Sequence, residues 1–200
     1  RIGEQAALFD EASGAEEVPD MLRVMDLKQE RLARSLGDGH RVIHGVAGSG
    51  KTMILGYRAE YLARAHTGGK PILVLCYNEP LAVMLAGSMA AKGLSGRVQC
   101  VHFHKWVRAQ LVAHQQSLPA SNLAPDAFFA DMVQRVITGV ERGHIPTGQY
   151  LAVLIDEGHD FAPEWLKLVT QMVDPTTNSL LLLYDDAQSI YEQSKKKNFS

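Results

Sequence analysis

The chain has 200 residues, 46% of them hydrophobic and 21% charged, with 20 basic against 22 acidic side chains. That composition suits one soluble globular domain, or one domain with an insertion, able to bury a sizeable core. The near-neutral balance excludes a surface coated in positive charge, though not a local basic groove, and no apolar run reaches the ~18 residues of a membrane span.

Residues 1 to 20 are rich in Gly, Ala and Glu and read as a linker or the remnant of a preceding domain. The opening "RIGEQAALFDEASG" is polar and lacks a signal-peptide pattern. With no initiator Met and an ending in "KKKNFS", the chain is expected to be a piece of something longer. The two cysteines, Cys76 and Cys100, sit in apolar runs outside any C-x-x-C. Buried free thiols are expected, which suits a reducing, cytoplasmic setting.

"DLKQERLARSL", 26 to 36, spaces Leu27, Leu32 and Leu36 as one helix face, with Asp26 as its cap. Five short apolar runs follow: 41–45, 71–77, 97–103, 151–156 and 179–185. They lack strict polar alternation, so they predict strands buried on both faces, as in a parallel sheet covered by helices. Helical patterns separate them at 51–66, 79–92, 104–116, 126–142 and 162–173. Strand and helix in alternation predict an α/β fold with helices on both faces of the sheet. The stretch 107 to 147 exceeds a single crossover and reads as a small helical insertion.

"GVAGSGKT", Gly45 to Thr52, fits G-x-x-x-x-G-K-[ST] between a predicted strand and a predicted helix. Glycines let the backbone turn tightly and aim N–H groups inward, and the helix adds its positive dipole end. Gly45, Ala47, Gly48, Ser49 and Gly50 would cradle the phosphates of a nucleoside triphosphate. Lys51 would reach the β- and γ-phosphates, and Thr52 would help hold Mg²⁺. P-loops serve many activities, so this motif alone does not settle function.

"LAVLIDEGHD" is an apolar strand ending in paired carboxylates. Asp156 is placed to bind Mg²⁺, directly or through water. Glu157 is placed to take a proton from an attacking water. That pairing favours hydrolysis over transfer to a small molecule.

At these residues the chain resembles UvrD/Rep-type superfamily 1 helicases. The family's D-E-A-Q-D corresponds to Asp156, Glu157, Gly158, His159 and Asp160. Its G-D-x-x-Q-S-I-Y resembles "YDDAQSIY", 184 to 191, where Gln188 would sense the γ-phosphate and Tyr191 would lie near single-stranded nucleic acid. "MDLKQERLA" resembles the adenine-reading Q motif, with Gln29 as its glutamine; an amide offers one acceptor and one donor, which suits adenine and favours ATP. "LCYNEPLA" resembles motif Ia and "VHFHKW" resembles motif Ib. Through them Asn78, Phe103 and His104 would line the nucleic-acid path, although Phe103 and Trp106 also read as core. Lys105, Arg108 and Lys195 to Lys197 are candidate phosphate partners.

The resemblance runs from about residue 24 to 192. It implies a P-loop NTPase domain of the RecA-like type: domain 1A over 21–200, with 107–147 in the place of domain 1B. It implies ATP and Mg²⁺ as cofactors, and single-stranded DNA or RNA and a second RecA-like domain as partners, with no membrane. Tyr184 replaces the usual glycine, His159 replaces a glutamine, and "EQSKKK" stands where an aromatic–arginine pair is usual. These departures are similar to a branch in which a nuclease-related NERD domain precedes the helicase.

The family's second lobe supplies arginines that matter by ~10³–10⁵ in rate. No segment here resembles them, so this piece is expected to bind ATP–Mg²⁺ modestly and hydrolyse it slowly. The competing expectations are a regulatory or scaffold P-loop ATPase that does not unwind nucleic acid and, more distantly, a small-molecule kinase.

Overall fold

A computed structural model of the chain describes residues 40–45 and 51–185, with side chains for 52–158 and 160–183. The helix expected at 26–36 and the linker expected at 1–20 lie outside the described residues. The strands are β1 (His40–Gly45), β2 (Ile72–Cys76), β3 (Val98–His102), β4 (Ala152–Ile155) and β5 (Ser179–Asp185). The helices are α1 (Lys51–Ala65), α2 (Glu79–Ala91), α3 (Phe103–Ala113), α4 (Pro125–Glu141) and α5 (Pro163–Thr170), with a 3₁₀ turn at Gly158–Asp160. Every strand and every helix expected between 41 and 185 forms, within a few residues of its expected ends.

All five strands run parallel in one sheet, in the order β1-β5-β4-β2-β3. The continuous apolar runs explain this arrangement. Along β2, Ile72, Val74 and Cys76 point to one face and Leu73 and Leu75 to the other, and all five are buried. Burying such side chains contributes about 1.5–3 kcal/mol each, so both faces must be covered. Helices α1 and α2 cover the first face through Leu55, Leu62, Leu85 and Met89. Trp106, Val107, Leu111, Val133, Val136, Leu168 and Val169 of α3, α4 and α5 cover the second. The helices expected in the 107–147 stretch therefore share the core of the sheet.

Local chemistry sets the helix ends. Asn78 caps α2 by accepting a hydrogen bond from the Leu81 amide at 3.2 Å, with Pro80 in the first turn. At the other end Gly93 takes φ +72, and the Leu94 amide donates back to the Met89 carbonyl at 2.9 Å. This is a Schellman stop, which needs the left-handed conformation glycine adopts without strain. The α3 stop repeats the pattern with Gln115 at φ 56, where a side chain carries some strain.

The polar groups in the second core are paired. Trp106 Nε1 donates to the Tyr150 hydroxyl at 3.1 Å, and Gln149 Nε2 donates to Gln110 Oε1 at 2.8 Å. Both cysteines are free thiols, Cys76 buried and Cys100 only half-buried. Among the described residues no helix is long and apolar enough to cross a membrane.

Because the strands are parallel, their carboxyl ends share one edge of the sheet. That edge carries Gly45, Tyr77 and Asn78, Phe103 and His104, Asp156 and Glu157, and Asp185. Ligands of open α/β sheets bind at this edge, where successive connections leave in opposite directions. Here the connection from β1 crosses over to β2, while the later strands β4 and β5 fill the gap beside β1.

Candidate nucleotide site at the carboxyl edge of the sheet

β1 leads into the phosphate-loop motif and α1 begins at Lys51. Ala47, Gly48, Ser49 and Gly50 lie outside the described residues, as do Gln29, Gln188, Tyr191 and Lys195 to Lys197. Gly45 is placed as the last residue of β1 and Lys51 as the first of α1. The motif thus joins the strand end to the helix start, as its glycine spacing predicts.

The acidic pair follows β4. β1 and β4 are separated by β5, so their strand ends stand about 9.5 Å apart at the usual inter-strand spacing. The first turn of α1 closes that distance. Thr52 Oγ1 donates a hydrogen bond to Asp156 Oδ2 at 3.0 Å, between residues 104 positions apart in the chain. The other carboxylate oxygen, Oδ1, accepts from the Glu157 amide at 2.8 Å. The Asp156 amide donates to the Leu75 carbonyl at 2.9 Å, which extends the β2–β4 ladder by one residue and fixes where the carboxylate leaves the sheet. Asp156 is only 4% exposed. A hydroxyl and a buried carboxylate oxygen in contact are hard oxygen ligands of the kind Mg²⁺ takes, with the cation's remaining positions left to water and phosphate.

Glu157 sits where the chain leaves the strand. Its backbone is left-handed, φ 53 and ψ 44, a conformation that costs a non-glycine residue energy and recurs at functional sites. The Asp160 amide donates to its carbonyl at 2.9 Å and closes the 3₁₀ turn. Glu157 is half-buried.

Cys76, at the end of β2, is close enough to feel both acids. Burial first, and then the charges of Asp156, Cys100 and Glu157, push its thiol far above the ordinary range. Burial pushes Cys100 up to about 11. Both shifts disfavour the thiolate, the reactive form of a cysteine.

The motif Ia and Ib residues meet beside the acids in an aromatic cluster. His104 stacks on Phe129 of α4 with ring centroids 3.6 Å apart and lies parallel to His102 at 5.6 Å. Tyr77 meets His104 and Phe161 edge-on, at 6.2 and 6.3 Å. Partial burial first, and the neighbouring His102 second, hold the His104 pKa below its usual value.

Two expectations about this cluster change. Phe103 is fully buried, stacked on Trp165 at 4.9 Å and on Trp106 at 6.1 Å, so it presents no face to a base. It faces the core because it opens α3 on the side of the helix that covers the sheet, one residue before His104 turns outward. Trp106 is likewise core. Asn78 stays on the surface, but its side-chain oxygen is committed to the α2 cap. Sequence reasoning also passed over Tyr77, 39% exposed at the same strand end. An aromatic residue between an apolar strand and a helix cap was the available signal.

The family described as an AAA domain matches residues 28–194, a span that takes in the phosphate loop, the acidic pair and β5. The chain belongs to this AAA domain family. It is a P-loop domain of the type found in UvrD/Rep-like helicases, and its membership brings nucleotide-dependent activity. No curated protein matches the chain. Of the nucleotide-site candidates, the AAA domain carries Gly45, Lys51, Thr52, Asp156 and Glu157 at one edge of the sheet, with Thr52 and Asp156 in direct contact.

Proposed function

We propose that this AAA domain is the ATP-binding lobe of a helicase or translocase that couples ATP hydrolysis to movement along single-stranded DNA or RNA. The hydrogen bond from Thr52 to buried Asp156 supports this reading most strongly. It brings the end of the phosphate loop and the strand-end acid to one point, where a single Mg²⁺ could touch both. When bound, Mg²⁺ would be held by Thr52 and Asp156 and would neutralise charge on the β- and γ-phosphates. Lys51 and the loop amides hold the triphosphate, and Gln29 reads adenine. Glu157, one residue beyond Asp156, orients the attacking water and accepts its proton. Gln188, beyond the end of β5, senses the γ-phosphate.

On the nucleic-acid side, the half-buried His104 and exposed Tyr77 offer ring surface beside the nucleotide edge. Stacking a base on an aromatic side chain is worth about 1–3 kcal/mol. Tyr191 would extend that track, with Lys105 and Arg108 as phosphate partners. A second RecA-like lobe would close over the nucleotide and supply arginines to the phosphates.

Glu157→Gln separates binding from chemistry. The variant should bind ATP with Mg²⁺ as tightly as the parent and hydrolyse it at least tenfold more slowly in single-turnover assays. Equal hydrolysis by both would remove Glu157 as the base. Single-stranded oligonucleotides should accelerate turnover in the protein that carries both lobes. A turnover rate indifferent to every strand would favour a regulatory ATPase.

A further inference from the structure

The turn that carries Glu157 rests directly on β5, and one missing methyl group makes that approach feasible. A Cβ built on Gly158 would lie 2.5 Å from Leu182 Cδ1, 3.1 Å from Leu182 Cγ and 3.2 Å from the Leu183 carbonyl oxygen. Leu182 is itself buried in the core, 8% exposed, so its side chain has little room to retreat. The neighbouring Glu157 is held left-handed, a conformation that persists only where its surroundings impose it. The same turn is closed by two amide bonds, Asp160 to the Glu157 carbonyl at 2.9 Å and Phe161 to the Gly158 carbonyl at 3.2 Å.

We infer that Gly158 is a positioning residue for hydrolysis: its contact with Leu182 seats the 3₁₀ turn on β5 and thereby sets the direction of the Glu157 carboxylate. This rests on the reading of Glu157 as the base. The family motif carries alanine at this position, but here, with Leu182 packed against the turn, a side chain at 158 pushes the turn away from β5 and moves the carboxylate, while Asp156 keeps its place through the β2–β4 ladder and its bond to Thr52. Nucleotide binding and chemistry are therefore affected unequally. Misplacing a catalytic group by about 1 Å can cost roughly 10²-fold in rate.

The test combines Gly158→Ala, Leu182→Ala and the double variant, with Glu157→Gln as a control. Single-turnover hydrolysis with protein in excess over ATP and Mg²⁺, nucleotide affinity, and amide hydrogen exchange at Asp160 and Phe161 are read for each. Gly158→Ala should slow hydrolysis tenfold or more, keep ATP affinity within about threefold, and speed exchange at the two amides. Trimming Leu182 in that background should restore protection of the amides and most of the rate. Unchanged exchange and rate in Gly158→Ala would overturn the proposal, as would loss of binding in parallel with rate, or failure of the second substitution to rescue. Hydrolysis unaffected by Glu157→Gln would instead count against the base assignment. In that case the exchange data still report on the Gly158–Leu182 contact, and only the link to chemistry falls.

Discussion

Replacing Thr52 with valine removes one hydroxyl and almost no volume. That hydroxyl donates to Asp156 Oδ2 at 3.0 Å, and Asp156 is 4% exposed. The variant leaves one oxygen of a buried acid without its donor, while the other keeps the Glu157 amide at 2.8 Å. A hydrogen bond to a charged group is worth about 1.5–3 kcal/mol. With a urea slope of about 2 kcal/mol per molar, the unfolding midpoint should fall by about 1 M. Urea titrations followed by far-UV circular dichroism, in EDTA and without nucleotide, measure this directly. Thr52→Ser, which keeps the hydroxyl, should retain most of the stability. A second signature appears with ligand. Mg²⁺ should strengthen ATP binding to the parent far more than to Thr52→Val, because the same hydroxyl turns from the acid to the metal. An unchanged midpoint together with an unchanged Mg²⁺ effect would refute the reasoning.

Three further outcomes follow from the site and its supports. Phe103→Ala should cost about 3–5 kcal/mol, the usual loss for truncating a buried phenylalanine, whereas His104→Ala, half-buried, should cost much less; equal losses by denaturation would place Phe103 outside the core. Asn78→Ala removes the α2 cap and should cost about 1 kcal/mol, with Asn78→Asp nearly neutral; a stability change smaller for alanine than for aspartate would contradict the cap. Burial first, and His102 second, hold the His104 pKa below its usual value, so the unfolded chain takes up its proton more readily. Stability should be full above about pH 6.5, the usual histidine value, and decline as pH falls below it toward the lower folded value. His104→Gln should flatten that part of the curve, and the same slope in parent and variant would reject the assignment.

Much of the fold was legible because burial on both faces leaves a plain mark: the runs around Leu73, Leu154 and Leu182 have no polar alternation, and only a covered parallel sheet accommodates them. The phosphate-loop spacing and the acids at 156 and 157 were legible because their chemistry requires particular residue types at fixed intervals. Other features depend on contacts between distant segments. Phe103 and His104 are adjacent and aromatic, and only the packing of α3 decides that one is core and the other faces Phe129. The left-handed Glu157 and the fit of Gly158 against Leu182 involve residues more than twenty positions apart, so the local sequence carries no sign of either. The cap role of Asn78 is legible from its position just before Glu79 and Pro80.

The most direct measurement is a crystal structure of the domain with Mn²⁺ and a non-hydrolysable ATP analogue, the metal located by its anomalous scattering. The account predicts one Mn²⁺ bound to Thr52 Oγ1 and to the β- and γ-phosphates, with the Asp156 carboxylate reaching it directly or through one water. A triphosphate seated elsewhere on the sheet, or a metal that touches neither Thr52 nor Asp156, would contradict it.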